Sequence, residues 1–188
     1  MAGVPRRAIT LGGMAAAAAE TIEFTAQVEQ LGDRLILRFP DAASAALPSR
    51  GQVAAMVGID GKTRDAVIEP DGRRGHWLPA DDDGFPGGTT VGVVVEPTKD
   101  WPEPDVPDDF ATALRAAPDT AGLWNAITPM ARWEWVRWIN ATANAQTRSR
   151  RIEVAIDKLR AGKRRPCCFD LSSCTDPELA RSGKLIGT

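Results

Sequence analysis

The chain has 188 residues, 43% of them hydrophobic and 26% charged, with a net charge of −2, the make-up of a globular protein rather than of a disordered or fibrous one. No run approaches the roughly 18 consecutive apolar residues of a membrane-spanning helix. The three cysteines, Cys167, Cys168 and Cys174, are odd in number and clustered late, which argues against a secreted disulfide framework and for a cytoplasmic protein without membrane insertion.

Residues 1–20 place Arg6 and Arg7 before a weakly apolar run of Ala and Gly. Such a run makes a poor export-signal core, so a disordered tail, or a start at Met14, is expected. From Thr21 the pattern is that of β-structure. "TIEFTAQVEQ" sets Ile22, Phe24, Ala26 and Val28 on one face, and "RLILRFP" follows as a hairpin partner. "DAASAALPS" allows a short helical turn before Pro48. Asp60-Gly61 and Asp71-Gly72 then punctuate alternating apolar runs as hairpin turns, and "TTVGVVVEP" closes the set. Five or six short strands need a partner layer or closure, so residues 21–98 are read as a small antiparallel barrel or sandwich.

Residues 99–107 hold Pro102, Pro104 and Pro107 and form an extended connector. Beyond it the period becomes helical, giving an α+β chain. "DDFATALRAA" begins on acids and stops at Pro118, and "DTAGLWNAI" makes a second short helix. Thr128-Pro129 caps a third. In the fourth, Ile152, Ala155, Ile156 and Leu159 form one stripe, with Gly162 at the stop. Residues 108–165 thus make a bundle of about four short helices, and 166–188 a C-terminal tail.

The segment "WEWVRWINATANAQTRSRR" (133–151) holds the candidate functional residues. At 100° per residue Trp135, Trp138, Ile139 and Thr142 share a core stripe, while Trp133 falls on another face with Arg137 and Asn140. Trp133 either docks the helix onto the barrel or pairs with Arg137 as a cation–π contact at a partner surface. Arg148, Arg150 and Arg151, beside Thr147, are expected in the first turn of the last helix, where cations oppose the dipole. Their counter-charge is either intramolecular (Glu134, or Asp81 to Asp83) or an external phosphate or peptide carboxylate.

Other features carry little. His76 is the sole histidine and there is no tyrosine, so no catalytic residue is assigned. "CCFDLSSC" supplies at most three thiolates, fewer than structural zinc takes, and neither metal nor cofactor is expected. The Asp81–Asp83 run lacks calcium-loop spacing. "GFPGG" lacks the Lys-Ser/Thr ending of a phosphate loop.

Charge is divided along the chain: residues 60–109 carry 13 acids against 5 bases, and residues 148–165 carry 8 bases against 2 acids. The basic stretch keeps a nucleic-acid partner open, although an acidic barrel repels phosphates.

At Trp138-Ile139, Thr147-Arg148, Arg150 to Ile152, and Leu159, Gly162 and Lys163, the chain resembles the bacterial YdeI/OmpD-associated (bacteriocin-protection) family. "FTAQVEQLGDRLILRFP", "VGIDGKTRDAVIEPDGRRGHWLP" and "VVVEPTKDWPEPDVPDDFATAL" resemble the domain of unknown function that often precedes it. That resemblance implies a barrel of the swapped-hairpin, double-split type. It also implies a non-enzymatic cytoplasmic interaction protein linked to envelope stress or antimicrobial-peptide tolerance, with an unidentified protein or peptide partner. Ala143 stands where a lysine is expected and Ala145 where a proline is common.

Overall fold

The computed structural model describes residues 20–167 and 169–187; the tail expected over residues 1–20 lies outside them except for Glu20. Six strands close an antiparallel barrel: β1 (Ile22–Leu31), β2 (Arg34–Arg38), β3 (Val53–Ile59), β4 (Lys62–Pro70), β5 (His76–Pro79) and β6 (Thr90–Pro97), in the order β1-β2-β5-β4-β3-β6. Closure gives every strand two neighbours, although β4 meets β5 only at Glu69 and Pro70. β1 is long enough to serve two neighbours, pairing with β6 from Ile22 to Gln27 and with β2 from Val28 to Leu31.

Period-two alternation fills the interior. Val91, Val93 and Val95 of β6 point inward, and Ile22, Phe24 and Ala26 face them in register. Val53, Ala55, Val57 and Ile59 of β3 complete the wall. The short helix α1 (Asp41–Ala46) contributes Ala43 to the same core, and Leu47 follows it there. Asp60 and Gly61 both have positive φ, as a two-residue primed hairpin turn requires. The turn expected at Asp71-Gly72 is a longer loop instead: Asp71 Oδ1 accepts from the amides of Arg73 and Gly75 and holds it open.

Helices α2 (Asp108–Ala116), α3 (Ala121–Ala126), α4 (Pro129–Asn140) and α5 (Ala145–Arg160) follow, with a single 3₁₀ turn (Pro118–Thr120) before α3. Phe110, Ile127, Trp135, Ile139, Ala155, Ile156 and Leu159 form their own core. Thr128 caps α4, its hydroxyl accepting from Ala131 N.

Residues 166–188, read from the sequence as a tail, carry a small hairpin, β7 (Ala180–Arg181) and β8 (Lys184–Leu185). Cys174, Leu179 and Leu185 pack there against Ile36 and Trp77 on the outside of the barrel. Arg38 donates to the carbonyl of Ile186, and Leu185 N to that of Asp71. Gly72 has φ +73, and a Cβ there would lie 1.9 Å from the Gly183 carbonyl oxygen, so this close approach depends on glycine. Among the described residues, no helix is long and apolar enough to cross a membrane.

Candidate functional site

Helical geometry separates the candidate residues into structural and available ones. Trp133 is half-buried and its indole donates to the Pro102 carbonyl at 2.8 Å, pinning α4 to the proline-rich connector. It does not pair with Arg137. That arginine is 3% exposed and lies in the joint between barrel, α4 and C-terminal segment. Its guanidinium donates to the carbonyls of Leu171 (3.2 Å) and Ser173 (2.7 Å), stands 5.4 Å from the Phe169 ring centre, and approaches Glu69 of β4 at 3.3 Å. Burial pushes the Glu69 carboxyl up, with Arg137 and a hydrogen bond from Gln52 opposing the shift. Of the two readings of Trp133, the pair with Arg137 gives way to two architectural contacts, and Trp133 docks its helix on the connector rather than on the barrel strands.

The arginine cluster also sits differently from expectation. α5 starts at Ala145, capped by Asn144, whose side-chain oxygen accepts from Thr147 N at 2.8 Å. The arginines therefore occupy its second turn, where the dipole penalty has faded. Ala145 is the first helical residue, a position suited to proline, so its departure from the family pattern touches only the helix start.

The turn between α4 and α5 sets the arginines beside the carbonyl end of α4. Arg148 donates to Asn140 Oδ1 at 2.8 Å, and Arg151 to the Trp138 carbonyl at 2.6 Å, one of the carbonyls in the last turn of α4. Cations that look misplaced for α5 thus serve the negative end of α4.

Arg148 is further held by Asp109 of α2 through two bonds of 2.6 and 2.9 Å, a bidentate pair. That pairing keeps the Asp109 carboxyl below the usual carboxylate range. The counter-charge is therefore intramolecular, though neither Glu134 nor the Asp81–Asp83 run provides it. Glu134 pairs with Arg165, Asp81 with Arg34, and Asp83 with Arg64.

Arg151 is the exception. It stacks 5.6 Å from the Trp138 ring centre, burial lowers its pKa, and among the described residues no carboxylate pairs with it. Lys158 approaches the same ring at 5.8 Å, and Trp138 meets Trp135 edge-on. Beside them opens a concavity of about 580 Å³ whose lining includes Trp138, Thr147, Arg150, Arg151, Val154 and the carboxylate-bearing Glu153. Arg150 is 75% exposed and meets Glu153 at 3.2 Å. An exposed pair of this kind is worth at most about 1 kcal/mol, so a better anion displaces it.

His76 is buried, with both ring nitrogens engaged. Its Nε2 faces the Gly51 carbonyl at 3.2 Å, so that nitrogen carries the proton, and Nδ1 accepts from Ser44 Oγ at 2.6 Å. Ser44 is 2% exposed and unreachable by substrate. Burial lowers the His76 pKa, in keeping with a neutral, structural imidazole.

Comparison with known families follows the same division. Residues 103–162 match the family model described as "Bacteriocin-protection, YdeI or OmpD-Associated". The helical part belongs to the YdeI/OmpD-associated family. Residues 24–83 match a domain of unknown function, DUF1905, which covers β1 to β5. No curated protein matches the chain. The YdeI/OmpD-associated match spans the connector and α2 to α5, and so includes Trp133, Arg137 and Thr147 to Arg151.

Proposed function

We propose that this YdeI/OmpD-associated chain is a non-enzymatic, cytoplasmic interaction protein, linked to envelope stress or tolerance of antimicrobial peptides. Its α5 concavity takes an anionic side chain or terminus of a protein or peptide partner. The observation that carries this reading is Arg151: a part-buried guanidinium, stacked on Trp138 beside an open concavity, with no carboxylate paired to it among the described residues, the nearby Glu153 being engaged by Arg150. An incoming carboxylate there gains a charge-assisted hydrogen bond, about 1.5–3 kcal/mol in partly desolvated surroundings. Val154 and the Trp138 ring give an apolar neighbour side chain a place to rest.

A nucleic-acid partner fits less well. Of the eight cations in residues 148–165, Arg148, Arg160 and Arg165 are paired with carboxylates on other helices or segments, which spreads their charge over different neighbours rather than along one stripe. A phosphate backbone needs several cations on one line at once.

The test is fluorescence anisotropy with a labelled peptide of alternating Glu and Leu, and with duplex DNA and single-stranded RNA at low salt. Peptide binding that falls about tenfold or more in an Arg150→Gln/Arg151→Gln chain supports the reading. Unchanged affinity in that chain overturns it, as does salt-sensitive nucleic-acid binding in place of peptide binding.

A further inference from the structure

The outer face of the barrel opposite in character to α5 is the stretch around β3. Met56 (43% exposed) and Val94 (38% exposed) are two large apolar side chains left in water there. In register, Met56 lies between Asp65 of β4 and Glu96 of β6, and Gly58 lies between Thr63 and Val94. Gly58 and Gly92 lack side chains, so a shallow apolar channel of about 370 Å³ runs past Met56 and Val94. It continues into a concavity of about 760 Å³ whose wall is Asp65, Glu96, Asp100, Pro97 and the half-exposed Trp101.

The charged residues that line these two concavities are all acidic. Neither concavity is lined by a lysine or arginine, and among the described residues no cation pairs with Asp65, Glu96 or Asp100. Two carboxylates flanking one exposed methionine across adjacent strands repel one another weakly, a cost that an arriving cation removes. Trp101 makes no cation–π contact among the described residues, and its half-exposed ring lines the concavity. The ring and the three carboxylates line one concavity, a combination suited to an ammonium or guanidinium group. The acidic middle of the sequence therefore has a spatial focus, and it lies beside the apolar residues that a purely solvated face does not need.

We infer that this groove binds an extended segment of a partner protein in which a lysine or arginine neighbours an apolar residue. The cation sits among Asp65, Glu96, Asp100 and Trp101, and the apolar side chain lies on Met56, Val94 and the Gly58/Gly92 notch. This surface is separate from α5 and takes the opposite charge, so its fate is independent of the anion-binding reading.

The probe is a fluorescein-labelled peptide of alternating Lys and Leu, with the Glu-Leu peptide as control, titrated into the full chain. Binding of the Lys-Leu peptide is expected to weaken about tenfold in Asp65→Asn/Glu96→Gln, which removes two of the three carboxylates facing the bound cation. It is expected to weaken further with Trp101→Leu. An Asp33→Asn/Asp82→Asn chain, equal in net charge and altered elsewhere, retains wild-type affinity, and circular dichroism confirms that each variant folds. Equal loss in the two double variants, unchanged affinity in the first, or absence of binding by the wild type overturns the inference. So does sedimentation showing that the groove is covered by a second copy, released by Asp65→Asn/Glu96→Gln.

Discussion

Arg137→Met tests whether the joint between the two halves rests on one side chain. The substitution keeps most of the buried volume but removes the donors to the Leu171 and Ser173 carbonyls and the countercharge 3.3 Å from Glu69. Removing one member of a buried ion pair costs about 3–5 kcal/mol, because the remaining charge stays desolvated. Here the figure belongs at the lower end, since Arg137 Nε makes no hydrogen bond and Glu69 retains Gln52. A loss of about 3 kcal/mol is therefore expected in urea unfolding followed by tryptophan fluorescence. The deficit should shrink as pH falls and Glu69 takes up a proton, because a neutral carboxyl is cheaper to bury than an unpaired anion. In Arg137→Met/Glu69→Leu most of the loss should be recovered. A deficit below about 1 kcal/mol, or one independent of pH and of the second substitution, would refute the assignment of Arg137 to the joint.

Two further outcomes follow from buried groups. Burial depresses the folded-state pKa of His76 below its ordinary value of 6.5. Its contribution to stability is thus complete above pH 6.5 and declines as pH falls from there toward the folded value. Thermal melts between pH 7.5 and 5 should show this slope, and His76→Gln should flatten it; an unchanged slope counts against a buried neutral imidazole. Cys174 is buried with its thiol pushed up to about 11, so at pH 8 it should react with a thiol reagent only after unfolding. Mass mapping of the labelled cysteines checks this, and rapid native labelling of Cys174 would show that the C-terminal segment is not docked.

Much of the fold was legible because its signals were periodic. Val91, Val93 and Val95 alternate cleanly, and Ile152, Ala155, Ile156 and Leu159 recur at helical spacing. The C-terminal hairpin was not, since two-residue strands carry no period. Its trace lay elsewhere: in "RLILR" both faces of β2 are apolar, and Ile36, pointing outward, needed a cover that Leu179 and Leu185 supply. The start of α5 was misplaced because residues 145–151 contain no large apolar side chain, so the period became visible only at Ile152. Asn144 was the available cue. Arg137 looked exposed because a helical wheel shows only one helix's own stripe, and a carbonyl-lined joint built from residues 171 and 173 has no sequence pattern. The pairing of Arg148 with Asp109, 39 residues apart, was similarly invisible.

The functional account stands on the distinction between Arg148, consumed by Asp109 and Asn140, and Arg151, left facing the concavity with no carboxylate paired to it among the described residues. Affinity for the Glu-Leu peptide measured side by side in Arg151→Gln and Arg148→Gln tests it most directly. The account predicts a loss of about tenfold in the first, the size of one charge-assisted hydrogen bond, and affinity within about twofold of wild type in the second. Equal losses, or a loss confined to Arg148→Gln, would contradict it.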